Sequence, residues 1–512
     1  MIDFVIVIVY FILIFSIAIS GRVKSKSAEE YFLSNRNLKW HSIALSTIAT
    51  NIQGYQFLGM MGSAYLYGLA QANLEINAIQ GILIATFIFV PIYLREKIFT
   101  ITDFIEKKLG KKIALFYSLS NIALFSTITL GAALFWGAYA AEMVFSEQLL
   151  FLHSNRIVRI GILIFSLGVF SAIYTYLGGL NAVVKTDIIQ FLILLTGGAI
   201  VCYFSINALG GWEQLYIKTP EKMHLHLDSD HPVLPWTHLL GLFFLNINYW
   251  CANQSIIQRA IAAKNLSHAQ SGLMIGGFLK YLMAILIVIP GIALFGILGD
   301  SFNEPDLAFP YLVNTYLPVG LKGIVLCGLF ASLMSTIDST FNSLATLWSI
   351  DIYSKYFNKN ATDSEKINSG RRAIIFSFFT ALLMSMILLY LKFDSPESAF
   401  THTLNSLRYY INCGIVVLII SAIFLIKPKV KVILIAFIMT IPLNFLIQFL
   451  FTEINYFLRA FIVIIFGLII VFFYNRKKIL PFNSVLNSSS IKNTYIGIIL
   501  LLSLILTHII FH

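Results

Sequence analysis

A polar interruption within a membrane-length apolar span is the feature that most constrains the fold of this chain. The span covers residues 41–67, and near its middle lie Asn51, Gln53, Gly54 and Gln56. Unpaired backbone groups are costly in hydrocarbon, so irregular backbone persists there only where protein or a wet cavity surrounds it. We expect the helix to break here, with carbonyl oxygens facing a cation and amide side chains facing a polar solute. An unbroken helix whose amides bond to neighbouring helices is the alternative.

The composition of the chain places this span in a membrane. Of the 512 residues, 58% are hydrophobic and only 12% are charged, and the mean hydropathy is +0.84. A soluble protein of this composition would lack a polar surface, so we expect an all-α, polytopic membrane protein with about 14 transmembrane helices. The predicted helices, numbered 1 to 14, cover residues 2–20, 41–67, 74–94, 113–145, 157–177, 181–209, 235–258, 269–298, 318–350, 373–391, 397–426, 430–450, 455–474 and 493–511.

The net charge of +11 indicates orientation rather than a nucleic-acid partner. Most of the 35 lysine and arginine residues fall in alternate loops, and Arg259 and Lys264 are assigned to one of them, after predicted helix 7. By the positive-inside rule these loops are cytoplasmic, which places both termini outside. We therefore expect a multi-pass protein of the cell (inner) membrane, with the lipid bilayer as a partner and no nucleic acid.

A second polar interruption occurs one structural half later. Asn246, Asn248, Asn253 and Gln254 place amide side chains along predicted helix 7. Paired interruptions of this kind indicate an inverted-repeat transporter with a binding site at mid-membrane. The predicted units are a leading helix and inner loop (1–40), a first inverted repeat (41–209), an outer loop (210–234), a second inverted repeat (235–426) and three additional C-terminal helices (427–512).

Three ionisable side chains within predicted spans need partners. Glu75 lies near the outer end of predicted helix 3, Asp187 lies two turns into helix 6, and Lys280 lies within helix 8. Charged groups in a membrane face a cavity, an ion or an opposite charge because their burial is costly. Helix 6 is otherwise apolar, so a partner for Asp187 must come from another helix. The alternatives are that Glu75 meets water at the outer interface and that Lys280 extends to the membrane surface.

Hydroxyl side chains share one face of predicted helix 9. Ser332, Ser335, Thr336 and Ser339 recur at helical spacing. With carbonyl groups opposite, such hydroxyls form an oxygen-only shell suited to a small hard cation. Close helix packing, or bonds to the helix's own backbone, is the alternative interpretation. Asp338 points away from the hydroxyl face and is placed to reach a second ion.

At these residues the chain resembles the sodium/solute symporter family, and within it the sodium/glucose and sodium/galactose cotransporters. The likeness extends from about residue 22 to residue 426 and is most specific in residues 174–190, 253–270 and 335–353. The resemblance implies a core of two five-helix inverted repeats, in predicted helices 2–6 and 7–11. It also implies sodium as the coupling ion and a small-molecule sugar as the substrate.

The resemblance implies a role for particular residues of this sequence. A sodium ion would be bound by backbone carbonyls and hydroxyls, those of Ala49, Ile52, Ser332, Ser335 and Thr336. The sugar pocket would be formed by Asn51, Gln56, Glu75, Asn246 and Lys280, with Tyr249 as the inner gate. Amide, carboxylate and ammonium groups suit hexose hydroxyls, and an aromatic face suits the apolar side of the ring. As a hypothesis, a second sodium ion would be bound by Asp187, Asp338 and Ser339.

The resulting interpretation is a sodium-coupled secondary active symporter, not an enzyme, that imports a hexose-like sugar by alternating access. Symporters of the same fold for inositol, sialic acid or an amino acid are the alternatives, and a membrane solute sensor comes after them. A carboxylated substrate would require an arginine in the pocket. Predicted helices 2 to 9 offer none at mid-membrane, which favours a neutral solute.

Overall fold

The computed structural model describes residues 2–20, 27–54, 56–302, 304–394, 400–481 and 489–512, and for residues 20 and 400–403 it describes the backbone alone. Across these ranges the chain forms helices joined by turns and isolated bridge pairs, and no β-sheet occurs in them. The all-α prediction is confirmed.

Twenty-two α-helices are numbered along the described chain. They are α1 (Ile2–Ser20), α2 (Ala28–Leu33), α3 (Trp40–Asn51), α4 (Met61–Tyr67), α5 (Asn73–Ile76), α6 (Ala78–Ile84), α7 (Val90–Arg95), α8 (Ile101–Leu109), α9 (Lys111–Leu124), α10 (Leu130–Val144), α11 (Arg156–Leu209), α12 (Trp212–Lys218), α13 (His238–Ile247), α14 (Gln254–Ile261), α15 (Leu266–Leu298), α16 (Ala308–Tyr316), α17 (Leu321–Thr346), α18 (Asp363–Asp394), α19 (Phe400–Phe424), α20 (Val430–Leu450), α21 (Tyr456–Tyr474) and α22 (Ile491–Ile510). Segments of π-helix extend or join several of them, at Gln56–Met60, Ala85–Phe89, Phe125–Thr129, Asn248–Ala252 and Leu347–Phe357.

Eleven helical stretches of the described chain are long and apolar enough to cross a membrane. The predicted count of about 14 is therefore not confirmed, and breaks and merged helices account for the difference. The pieces on either side of the two polar interruptions include helices too short to span alone. Helix α11 runs for 54 residues, although a crossing needs only about 20. It bends at Gly179, whose φ of +59° is the left-handed conformation that glycine adopts without strain.

Both predicted polar interruptions break a helix. Helix α3 stops where Ile52 takes an extended conformation (φ −74°, ψ 100°). Between the π-helical end of the α13 segment and α14, Asn253 takes nearly the same conformation (φ −82°, ψ 114°). The two breaks therefore share nearly the same backbone conformation.

Helix α17 lies at the centre of the bundle. In the apolar part of its span 94% of residues are buried, whereas the corresponding share is 22% in α1 and in α22. The outer helices therefore present most of their apolar side chains to lipid, while α17 meets protein on every side. Residues of α17 contact α3, α11 and α1, so this helix can join the first break to the rest of the core.

We expect Gly291→Ala to loosen the packing of α15 against α4. A methyl group at Gly291 would collide with the backbone carbonyl of Met61, which has little freedom to move. Overpacking of this kind costs about 1–3 kcal/mol of stability, so the apparent melting temperature of the purified protein in detergent should fall. Gly276→Ala on the same helix is the control, because its methyl would lie 3.4 Å from the flexible Ile48 side chain. Equal melting of both variants and wild type would contradict the proposed contact.

Candidate functional site

A cavity of about 140 Å³ lies between the two broken helices. Its walls come from both interruptions and from α5, α6, α9, α15, α17 and α19. The six residues expected to form the sugar pocket all line it, namely Asn51, Gln56, Glu75, Asn246, Tyr249 and Lys280. The structure therefore brings together in one place side chains that are more than 200 positions apart in the sequence.

An ion pair between Lys280 and Glu75 forms one wall of this cavity. Both side chains are buried, and the Lys280 ammonium donates to Glu75 Oε2. The same ammonium donates to Asn51 Oδ1 at 2.5 Å, and Gln56 Nε2 donates to the other Glu75 oxygen. Glu75 and Lys280 therefore supply each other with the opposite charge that we expected each to need, and the net charge of the pair is zero.

Two more side chains connect this wall to the second broken helix. Asn51 Nδ2 donates to the hydroxyl of Tyr249 at 3.1 Å. Asn246 Nδ2 donates to the backbone carbonyl of Asn77 at 2.9 Å. Amide and phenol groups around the cavity are therefore held by one another, which fixes the positions from which they can meet a polar solute.

The end of α3 contacts the hydroxyl face of α17. Ser332 Oγ donates to the carbonyl of Ile52 at 2.7 Å, and Thr336 Oγ1 lies 3.3 Å from the carbonyl of Thr50. An unbroken helix would use the amide hydrogen of Gln53 to pair the carbonyl of Ala49. That hydrogen instead goes to the Gln56 side chain at 2.5 Å. The break therefore releases main-chain oxygens beside two hydroxyls.

Ser335, the third predicted hydroxyl ligand, binds Asp187. Its Oγ donates to Asp187 Oδ1 at 2.5 Å, and Ser46 Oγ donates to Oδ2 at the same distance. The remaining partner of this fully buried carboxylate is Arg259, whose guanidinium lies 3.2 Å away. The assignment of Arg259 to a cytoplasmic loop is wrong, because the eight-residue helix α14 carries this side chain into the core with no exposed surface.

The three residues of the hypothetical second sodium site have two different sets of partners. The Arg259 guanidinium donates to Ser339 as well as to Asp187, and Ser339 Oγ also lies 2.9 Å from Thr50 Oγ1. Asp338 instead faces α11, where the Tyr174 hydroxyl donates to it. Arg259 therefore links Asp187 to Ser339, while Asp338 accepts from a tyrosine on the other side of α17.

Helix α19 contributes polar groups that the sequence did not assign. Asn405, Arg408 and Asn412 line the cavity at helical spacing. The absence of an arginine in predicted helices 2 to 9 favoured a neutral solute, but Arg408, which lies in predicted helix 11, places an arginine in the cavity and removes the basis for that preference. An arginine within a predicted membrane span was the available signal, since such residues face the interior of a bundle.

Comparison with known proteins gives consistent matches over most of the chain. The model of the sodium:solute symporter family matches residues 31–439. The sodium/glucose cotransporter of Vibrio parahaemolyticus is 35% identical over 392 residues, which are 71% of this chain and 70% of that protein. Sodium/glucose cotransporter 4 of Mus musculus is 29% identical over 82% of this chain, and the match spans 65% of the length of the mouse protein.

One solved structure has the same overall fold. It is a Na⁺-coupled sialic acid symporter in a substrate-bound outward-open state, with a TM-score of 0.80. The superposition covers 94% of this chain and 98% of that one at 20% sequence identity. At this level of identity the likeness concerns the fold alone, and it supports the predicted all-α, polytopic membrane architecture.

We expect Asp187→Asn and Arg259→Gln each to destabilise the protein strongly. Either change leaves one buried charge without its partner, which costs about 3–5 kcal/mol. The double variant removes both charges and should recover part of the loss. The apparent melting temperature, measured in potassium buffer to exclude effects of sodium binding, checks this expectation. Additive losses in the double variant would show that the two side chains do not act as a pair.

Proposed function

Because the chain belongs to the sodium:solute symporter family, we propose that it imports a hexose-like sugar together with sodium by alternating access. As a member of this family it is a multi-pass membrane transporter with sodium as the coupling ion, and it is not an enzyme. One observation supports the sugar most directly. Both helix breaks line a single cavity in which Asn51, Gln56 and the Glu75–Lys280 pair offer donors and acceptors together. Sugar hydroxyls need both.

The proposed sodium ligands are the carbonyls of Ala49 and Ile52 and the hydroxyls of Ser332, Ser335 and Thr336. Ser332 already contacts the carbonyl of Ile52, so oxygen atoms of two helices lie within one hydrogen bond of each other. Hydroxyl groups can rotate to direct lone pairs instead of hydrogens at a cation. A sodium ion bound there would replace the hydrogen bonds and join α3 to α17 more strongly.

Coupling follows from this position of the ion. Sodium bound between α3 and α17 would fix the segment that also carries Asn51 and Gln56, and so prepare the cavity for the sugar. Its release inside would loosen both sites, which is a shift between two conformational populations. Each charge moved inward adds about 2.3 kcal/mol of driving force at about 100 mV.

The contacts of Arg259 favour one sodium ion over two. A second ion at Asp187, Asp338 and Ser339 would have to compete with a guanidinium that donates to Asp187 and Ser339. Asp338 has its own donor in Tyr174. We therefore propose that Arg259 supplies the positive charge that a second ion would bring.

We also propose a division into repeats and an orientation. Residues 41–209 and 235–426 would be the two inverted repeats, and the matching backbone conformations of Ile52 and Asn253 support this division. The distribution of basic residues supports placing both termini outside, in the cell (inner) membrane.

Sodium symport of sialic acid, inositol or an amino acid by the same fold is the second candidate. The fold neighbour is named as a sialic acid symporter. The Arg408 side chain in the cavity favours the acidic members of this group, because a guanidinium matches a carboxylate in shape and charge.

Uptake of labelled sugars into proteoliposomes tests the proposed function. With an inward sodium gradient we expect accumulation of at least one hexose or hexose derivative, and with potassium in place of sodium we expect none. Accumulation without sodium would contradict the proposal, and so would uptake of an amino acid by vesicles that take up no sugar.

We expect Ser332→Ala to raise the sodium concentration for half-maximal uptake about tenfold, since the loss of one ligand worth about 1.4 kcal/mol gives that factor. In wild type the dependence on sodium should have a Hill coefficient near one. Ser421→Ala is the matched control, because this buried hydroxyl donates only to the carbonyl of Val417 in its own helix, at 2.6 Å. Unchanged sodium affinity in Ser332→Ala would remove this residue from the site.

A further inference from the structure

We propose that the sugar carries a carboxylate group and that Arg408 on α19 binds it. This inference rests on the proposed sugar symport and narrows it to acidic sugars. Arg408 would be a specificity-determining residue of the cavity already described, on a helix for which neither the sequence nor the resemblance provided a ligand.

The charge of the cavity supports an anionic solute. Among the described residues that line it, the fixed charges belong to Glu75, Lys280 and Arg408. Glu75 and Lys280 form an ion pair whose charges cancel. Over the part of the chain that the structure describes, no carboxylate lies within ion-pair distance of Arg408. The cavity therefore holds one uncompensated positive charge, which a neutral hexose would leave unpaired and a sugar carboxylate would neutralise.

The hydrogen-bonding state of Arg408 gives a second, independent indication. Its Nε atom is buried and has no hydrogen-bond partner. A buried donor without an acceptor costs about 1–3 kcal/mol, and a guanidinium presents five N–H groups in a planar fork that fits a carboxylate with two parallel bonds. The Lys280 ammonium, by contrast, already donates to Glu75 and Asn51. Arg408 is thus the cation of this cavity that is free to bind a ligand.

The buried arginines Arg159, Arg259 and Arg459 differ from Arg408, whose side chain is partly buried. Arg259 pairs with Asp187, and Arg159 pairs with Glu142 at 2.5 Å. In both cases a carboxylate of the protein itself neutralises the buried guanidinium. Arg459 on α21 has a buried Nε without a partner, as Arg408 does, but its guanidinium lies 5.5 Å above the ring of Tyr410 and does not line the cavity. Arg459 therefore provides a matched control for the removal of a membrane arginine.

The position of Arg408 allows one solute to reach both charged parts of the site. Tyr249, Glu75 and Arg408 all line this one cavity. A sugar ring beside Tyr249 could present hydroxyls to the Glu75–Lys280 wall and its carboxylate to α19. Asn405 and Asn412, on the same face of α19 as Arg408, would supply further hydrogen bonds to the acid group.

Paired uptake measurements in proteoliposomes test this inference. The labelled probes are glucose against glucuronate, galactose against galacturonate, and N-acetylneuraminate as a larger acidic sugar. With a sodium gradient, we expect wild type to prefer at least one acidic sugar by about tenfold or more in kcat/KM, since a site built for a polar group discriminates strongly against analogues that lack it. We expect Arg408→Gln to lose this preference through a higher KM for the acid, while uptake of the neutral sugar stays or rises.

Two further variants separate specificity from folding. Arg408→Lys keeps the charge without the fork and should retain part of the preference. Arg459→Gln should leave the preference unchanged. Sodium-dependent uptake of a neutral sugar by Arg408→Gln shows that the variant is folded. If Arg408→Gln is inactive, the preference for acidic sugars is compared between wild type and Arg408→Lys, and an equal preference in both would contradict a role of the planar guanidinium.

The outcomes distinguish this inference from the proposed function. If wild type takes up neutral hexoses with sodium at least as well as every acidic sugar, sodium–sugar symport stands and the role of Arg408 is overturned. If no sugar, neutral or acidic, enters with sodium, the proposed function itself fails. The inference is supported if wild type prefers hexuronates or N-acetylneuraminate and Arg408→Gln loses that preference. Which of the two is preferred shows the size of acidic sugar that the cavity accepts.

Discussion

The backbone groups released at the break after α3 are the constraint on which the rest of the structure depends. In a membrane interior these groups must find partners within the protein. Ser332 on α17 donates to the carbonyl of Ile52, and the Gln56 side chain accepts the amide hydrogen of Gln53. The hydrogen bonds that the broken backbone needs therefore hold α17 against α3 and position Gln56 at the cavity. The same contacts that stabilise the break thus also form the site.

Two buried ion pairs connect the proposed repeats across this break. Asp187 and Glu75 lie in the first repeat, whereas their partners Arg259 and Lys280 lie in the second. Buried pairs of this kind contribute little net stability, but each strongly disfavours arrangements that separate its charges. Any relative movement of the two repeats during transport must carry the pairs along or exchange their partners. The Asp187–Arg259 pair lies beside the proposed sodium ligands, and the Glu75–Lys280 pair lines the cavity. The sodium ion and the solute would therefore each bind next to an ion pair that joins the two proposed repeats.

Much of the site could be predicted because its residues are polar where lipid or apolar protein would be expected. The breaks, the need for a partner at Lys280 and the hydroxyl face of α17 all followed from this rule. Arg259 was misplaced because predicted helix 7 ended at residue 258, whereas α14 continues to Ile261 and stays buried; the charge of Arg259 was taken for the start of a loop. Arg408 was missed because its role depends on which face of α19 meets the cavity, a property of tertiary packing. The helix count differed because α11 merges two predicted spans and because the polar interruptions divide others into pieces too short to cross a membrane.

Hydrogen–deuterium exchange of residues 47–58, measured in sodium and in potassium at equal ionic strength, tests the central claim most directly. If sodium binds between the released carbonyls and the α17 hydroxyls, the amides of this segment should exchange more slowly in sodium, and Ser332→Ala should lose most of that protection. Equal exchange in both salts, in a protein that transports its solute with sodium, would show that the ion binds elsewhere and that the break serves the solute alone.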